Sequence, residues 1–334
     1  MTRYILKRTI ICIAVFFLVM FVVYSVMYML PESYAETAAR EFCLKPGNTR
    51  SAEEWKIALE KECGLDKGLV EGYFSWIRNF FYGDFGISWY YGVTVTEKFY
   101  SVIGNSMLIG SLTVLGEIAL AISLGVLSAE KRNKITGRVI SVLSVIFVSV
   151  PVFFIAALMK YIFSVKLGWF EFGGLKSNDY FLMNEIELAI DRIWHTALPV
   201  VTGIIAGSGA LIRYTSVNVS SVLDSRYIKY AKAKGLSQKD AVKSHALRNA
   251  AVPVINMLCR TLPCIVAGTM VVETLFSING IGYASYTAIV NGDIPFTMFY
   301  MMHIAGITVL GAFAADIFCA CIDYRIRNIF AKEE

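Results

Sequence analysis

Four charged residues stand inside otherwise apolar sequence: Glu117, Arg213, Arg260 and Asp316. At 1.5 Å per helical residue all four fall roughly 9 to 16 Å from one end of a membrane-length helix. Two acids and two bases at similar depth suggest a compensated cluster, because an isolated charge there costs at least about 2.5 kcal/mol. In the alternative, Arg213 and Asp316 simply reach the headgroup region from the helix ends. Covalent chemistry has no foothold beside them. There is no phosphate-binding Gly-rich loop, His-Glu-x-x-His, Gly-x-Ser-x-Gly or dinucleotide fingerprint. His195, His245 and His303 are far apart. Of the cysteines, Cys12, Cys259, Cys264, Cys319 and Cys321 lie in apolar runs and read as small core residues. Cys43 and Cys63 lie outside those runs, where a disulfide in an oxidising compartment and two free thiols are both open. No Cys/His spacing fits a zinc site. The chemistry left is binding and conduction, so uphill work by this chain would draw its energy from a partner.

The elements that must hold these residues are membrane spans. The 334 residues are 56% hydrophobic and only 17% charged, with a mean hydropathy of +0.58, which excludes an ordinary soluble domain. Six runs are long enough for a hydrocarbon core of about 30 Å: Thr9 to Leu30, Ser106 to Leu127, Val139 to Val165, Thr196 to Val219, Ala251 to Leu275 and Thr297 to Ile322. Several contain glycine, and the third contains Pro151, which packed membrane helices tolerate. The first run follows Arg3, Lys7 and Arg8 like a secretory leader, but its length and the lack of a small-residue cleavage pattern make it a retained anchor. Lys131, Arg132, Lys134 and Arg138 crowd the loop after span two, and seven basic residues from Arg226 to Arg248 crowd the loop after span four. Those loops and both termini therefore belong in the cytoplasm. The net charge of +5 is accounted for by this topology and implies no nucleic acid. The expected organisation is a tip and first helix over residues 1–30, an extracytoplasmic insertion over 31–101, a five-helix core over 102–322 and a cytoplasmic tail over 323–334. Within the insertion, Ala52 to Cys63 has an amphipathic pattern and the segment reads as a small helical cap.

The basic loop over 224–250 has its own local logic. Good helix formers run from Tyr227 to Lys234 and stop at Gly235, the residue suited to a left-handed helix end. Ser237 can cap a second helix, with Asp240 three residues on, before Ala241 to Asn249. A helical hairpin built this way reads as a docking element. The plainer alternative is a cytoplasmic loop whose lysines meet anionic lipid.

The order Ala231, Gly235, His245-Ala-Leu-Arg-Asn249 and Pro253 resembles the coupling loop of ABC importer permeases, and more narrowly the B-type subunit of peptide and nickel uptake systems. The family's usual loop glutamate falls at Lys229 and its isoleucine at His245, departures similar to that same branch. Val271-Val-Glu-Thr-Leu-Phe-Ser-Ile-Asn-Gly-Ile-Gly282 resembles the family's Glu-Thr-x-Phe-Ser-x-x-Gly-x-Gly signature. Gly83-Asp-Phe-Gly-Ile-Ser88 resembles the lead into its second span, and Asp316 to Arg327 resembles its closing pattern with Tyr324 in place of proline. The resemblance runs from Arg3 to Arg327.

It implies an all-α type I importer permease fold of six transmembrane helices forming half of a pore. Ala231, Gly235, His245, Leu247 and Arg248 would couple to an ATPase. Glu273, Gly280 and Gly282 would face the outer gate and binding protein, the glycines permitting a tight reversal; on the plainer reading Glu273 only reaches water from an interfacial turn. Because Arg213 and Asp316 match family positions, Glu117 with Arg260 becomes the favoured pair. The implied partners are a second homologous permease, two ATPase subunits binding ATP and Mg, an extracytoplasmic solute-binding lipoprotein and membrane lipid. No cofactor or metal is expected in this chain. Short peptides are the expected solute, with a nickel chelate as alternative, and from the residues alone a passive channel is the reading of another class.

Overall fold

The computed structural model describes residues 2–235 apart from 32 and 178, then 237, 254, 257, 259, 261, 263, 265 and 269–322. The second hairpin helix with His245, Leu247 and Arg248, most of the fifth predicted span with Arg260, and the 323–334 tail lie outside the described residues.

The first helix, α1 (Thr2–Tyr28), is followed by three short helices over the predicted cap: α2 (Ser33–Cys43), α3 (Ala52–Cys63) and α4 (Leu69–Tyr82). Helix α3 has the boundaries its amphipathic pattern predicts. Ser51 and Glu54 form a reciprocal capping box at its start, and Gly64, with φ of 71°, ends it in the left-handed conformation. The cap folds onto α1 through aromatic side chains. Fully buried Tyr24 donates to the Gly64 carbonyl at 3.0 Å, Tyr73 donates to the Phe17 carbonyl at 2.9 Å, and a Cβ on Gly72 would collide with the Tyr24 hydroxyl. Cys43 and Cys63 are free thiols.

Helix α5 (Val95–Glu130) starts where Thr94 accepts the Glu97 amide. Its 36 residues span about 54 Å, well beyond a hydrocarbon core. Helix α8 (Glu185–Leu223) begins at an Asn184–Glu187 capping box and runs through Pro199. These two form the most extensive helix pairing among the described residues. Glycines make it close: a Cβ on Gly116 would meet Ile204, on Gly125 Thr215, and on Gly203 Thr113.

The third predicted span is not one helix. Helix α6 (Ile135–Ser149) and α7 (Val152–Lys160), which continues as a π-helical turn over Tyr161–Lys166, are bent by 99° at Val150 and Pro151. Proline has no N–H to continue the ladder and pushes the preceding residue out of the helical region. Val150 is extended accordingly, with φ −84° and ψ 125°, so Pro151 breaks the span and starts its second half.

After α9 (Arg226–Ala233) the chain reaches α10 (Met270–Leu275), α11 (Ile281–Val290) and α12 (Ile294–Ile322), which packs beside α1. Four described helices are long and apolar enough to cross a membrane, five if the bent pair is one span. No named strand forms among the described residues; an isolated Ile87–Thr94 bridge is the exception to helix and loop.

Candidate functional site

The sequence Glu273 to Gly282 folds into a node rather than a solvated turn. Glu273 has no exposed surface. Its carboxylate accepts from the Ser106 hydroxyl of α5 at 2.8 Å, the Thr269 amide at 3.1 Å and the Tyr283 amide of α11 at 2.9 Å. Ser106 in turn accepts the Ile281 amide at 2.7 Å. One acid thus joins α5, α10 and the start of α11, its charge met by directed donors. The expectation that Glu273 reaches water is corrected: α5 covers it, and its donors are inside.

The glycines of the motif serve a different need from the predicted reversal. Gly280 has φ of −115°, and the positive-φ residue of the turn is Ser277, at 53°. A Cβ on Gly280 would sit 2.5 Å from both Glu273 Oε2 and Ser106 Oγ, and one on Gly282 would lie 2.8 Å from the Met270 backbone. Both positions need room.

Lys160 reaches the same region from α7. It is 8% exposed and donates to the Leu275 carbonyl at the end of α10. Its ammonium lies 3.7 Å from the Phe172 ring centre. The loop around Phe172 is fastened too, by the Gly174 amide on the Phe276 carbonyl at 2.8 Å and the Ser177 amide on Asp191 at 3.0 Å. His195 stands buried between Asp191, 3.1 Å from Nδ1, and Glu171, 3.5 Å from Nε2.

Beside the node, α5 and α8 diverge around a cleft of about 570 Å³ walled by Met107, Leu108, Leu112, Ile193 and Ile265. Its charged lining residue is Arg192. Arg192 Nη2 donates to Asn105 Oδ1 at 3.2 Å, and Asn105 Nδ2 donates to the Asn279 carbonyl at 2.8 Å. A mostly apolar cleft of this size with one oriented charged group, and with Ser111 and Thr196 as its other polar lining, is the form of a small-ligand site. Among the described residues no group of three or more His, Cys, Asp or Glu side chains could hold a metal ion.

Comparison with known proteins decides the family. Residues 121–328 match the model of the binding-protein-dependent transport system inner membrane component, and residues 1–89 match the N-terminal model of the same kind of component. The chain belongs to this family. It is 29% identical to the oligopeptide transport system permease protein AppB of Bacillus subtilis (strain 168), over 98% of this chain and 99% of that protein. It is 28% identical to the dipeptide transport system permease protein DppB of Lactococcus lactis subsp. cremoris (strain MG1363), over 98% of this chain and all of that one. It is 29% identical to the oligopeptide transport system permease protein OppB of Haemophilus influenzae (strain ATCC 51907 / DSM 11121 / KW20 / Rd), over 85% of this chain and 90% of that one.

Two other groups of residues singled out in the sequence sit elsewhere in this inner membrane component. Three of the four intramembrane charges, Glu117, Arg213 and Asp316, are among the described residues. Asp316 on α12 pairs with Arg8 of α1 at 3.0 Å, because those two helices lie side by side. Arg213 is on an exposed face of α8. Glu117 lies against Gly207, where a Cβ would strike its carboxylate; the favoured Glu117–Arg260 pair lies outside the described residues. In the hairpin, Gly235 has the expected left-handed backbone, with φ of 99°, and open space where a Cβ would point. Ala231 falls within α9. The base of the hairpin is held by Asp224, which takes both arms of Arg132 at 2.5 and 2.6 Å.

Four contributors escaped the sequence reading. Lys160 carried a usable signal, a base inside an apolar run. Asp293, buried and accepting from Ser88, Trp89 and Tyr90 as well as Phe296, had one too, an acid just before the Pro295-containing start of α12. Burial holds its carboxyl above the ordinary range. Ser106 and Arg192 had none, since only the fold brings them to the node and the cleft.

Proposed function

We infer that the chain is the permease subunit of an ATP-driven importer, contributing half of the translocation pathway for short peptides across the cytoplasmic membrane. The observation that carries this is its similarity over nearly its full length to permeases named for oligopeptide and dipeptide transport. The second permease, two ATPase subunits that bind ATP and Mg, and a solute-binding lipoprotein complete the assembly. The hairpin supplies the docking surface for an ATPase: Ala231 and Gly235 keep it thin, and His245, Leu247 and Arg248 shape its second arm. Glu273, Gly280 and Gly282 serve the outer gate from within, shaping the turn on the side of the binding protein. The basic loops at Lys131–Arg138 and Arg226–Arg248 support cytoplasmic termini and an extracytoplasmic cap over residues 31–101.

Alternating access needs helices that slide as units around a fixed passage. The glycine-lined α5–α8 contact suits that movement, and spans two to five, with α5 as the second and α8 as the fourth, line the passage. The test uses proteoliposomes holding the complete complex. Labelled di- to oligopeptides should accumulate only with ATP; nickel accumulation without peptide uptake would overturn the solute, and flux that ignores ATP would overturn the mechanism.

A further inference from the structure

The cleft between α5 and α8 offers a guanidinium that its own fold does not neutralise. Among the described residues no acidic side chain pairs with Arg192, and it is exposed to the cleft. Its own contact is with a neutral amide: Asn105 Oδ1 takes one N–H at 3.2 Å. That contact orients the planar fork and leaves further N–H donors for a ligand. Asn105 is itself fixed, through its Nδ2 on the Asn279 carbonyl, so the guanidinium is held by a two-step link to the turn that carries Glu273. The remaining walls are mostly apolar, Met107, Leu108, Leu112, Ile193 and Ile265; Ser111 and Thr196 also line the cleft, their hydroxyls turned to the Leu108 and Arg192 carbonyls of their own helices, so no competing charge is offered.

We propose that this cleft is a peptide subsite in which Arg192 receives the C-terminal carboxylate of the passing peptide while the apolar walls take its last side chains. Charge complementarity selects the occupant: a carboxylate meets the guanidinium fork with two parallel hydrogen bonds, and every linear peptide with a free C-terminus carries one. The volume of about 570 Å³ lies within the usual range for small-ligand sites, about 300–1,000 Å³. Because Asn105 adjoins Ser106, a bound carboxylate also bears on the residue that anchors Glu273 and the Ile281 amide. Solute arrival is thereby sensed at the proposed outer gate. This assignment rests on the peptide-permease reading.

The test is independent of the binding protein. Ala189, on the cleft wall, is changed to cysteine, and alkylation of the introduced thiol by a maleimide is followed in the assembled importer against the same complex without Ala189→Cys. Trialanine should slow the reaction, and trialanine amide should need about tenfold more to do the same, since the amide forfeits the charge-assisted pair. Arg192→Gln should erase that difference and Arg192→Lys should keep part of it, whereas Asn105→Ala should weaken trialanine binding yet still prefer the free acid. Equal protection by acid and amide, or a preference that survives Arg192→Gln, would overturn the assignment. So would an introduced thiol that never reacts, which means the second subunit covers the cleft, or one protected by phosphatidylglycerol vesicles without peptide, which means a lipid headgroup fills it. ATP-driven trialanine uptake by the unmodified importer separates the two levels: uptake with no Arg192-dependent protection sinks only the subsite, and absence of uptake sinks the peptide reading.

Discussion

Glu273 shows how a carboxylate can be structural in a membrane protein without a cation. Its hydrogen bonds come from Ser106, Thr269 and Tyr283, and each donor left unmet on its removal would cost about 1–3 kcal/mol. Glu273→Gln turns one acceptor into a donor facing donors. It should destabilise the detergent-solubilised protein by at least that one-donor amount; an unchanged melting temperature would show that the node is not closed as described. Gly280→Ala tests the same node from the other side. Its methyl arrives 2.5 Å from two of the hydrogen-bonded oxygens, so a loss of about 1–3 kcal/mol is expected, with Ser106→Ala partly relieving it. The Arg8–Asp316 pair is a different case. Both side chains keep part of their surface, 38% and 25%, so Asp316→Asn should cost no more than about 1 kcal/mol. A larger loss would mean that the pair is more deeply desolvated in the bilayer than its exposure indicates.

Among the elements, the proposed docking hairpin and the broken span are the two whose local backbone geometry is most specific. Gly235 is left-handed with open space around it, so a substitution there meets backbone strain and no clash. Gly235→Val should cost about 1 kcal/mol or more locally while leaving insertion intact. ATPase subunits should then co-purify poorly, or hydrolyse ATP without transport; coupling equal to the unmodified protein would remove the docking role. The Arg132–Asp224 fork fixes where the hairpin leaves α8. Its exposed setting limits its strength and makes it salt-sensitive, so Asp224→Asn should weaken coupling modestly and most visibly at low ionic strength. Pro151 acts at the opposite extreme, setting a 99° corner that places α7 and Lys160 against α10.

At the scale of the molecule, α1 and the cap share one hydrophobic core with α11, α12 and the start of α5, and α5 continues into a seam of close packing with α8. The Ser88–Asp293 contact ties the end of the cap to the start of α12, and the Ser106–Glu273 contact ties α5 to α10, each at a buried carboxylate. Transport that depends on the cap moving with α12 predicts that Ser88→Ala, far in sequence from any span centre, lowers peptide uptake in proteoliposomes more than it lowers ATPase activity. Equal loss of both would instead mark Ser88 as a folding residue.

Local chemistry determined a good part of this protein from sequence alone. Apolar runs of membrane length mark α1, α5, α8 and α12, the amphipathic pattern from Ala52 to Cys63 marks α3, and Gly235 ends α9 in the left-handed region, because span length, periodicity and helix ends depend on residues within a few positions of one another. The motif around Glu273 was legible as a motif, yet its burial was not. Whether an acid at a helix end meets water or Ser106 depends on a helix 167 residues away in sequence. The pairing of Asp316 with Arg8 and the convergence of Arg192, Asn105 and Asn279 were likewise decided only in three dimensions. Sequence periodicity gives the depth of a residue along its own helix, but the neighbouring helix supplies the partner, and that is settled by packing.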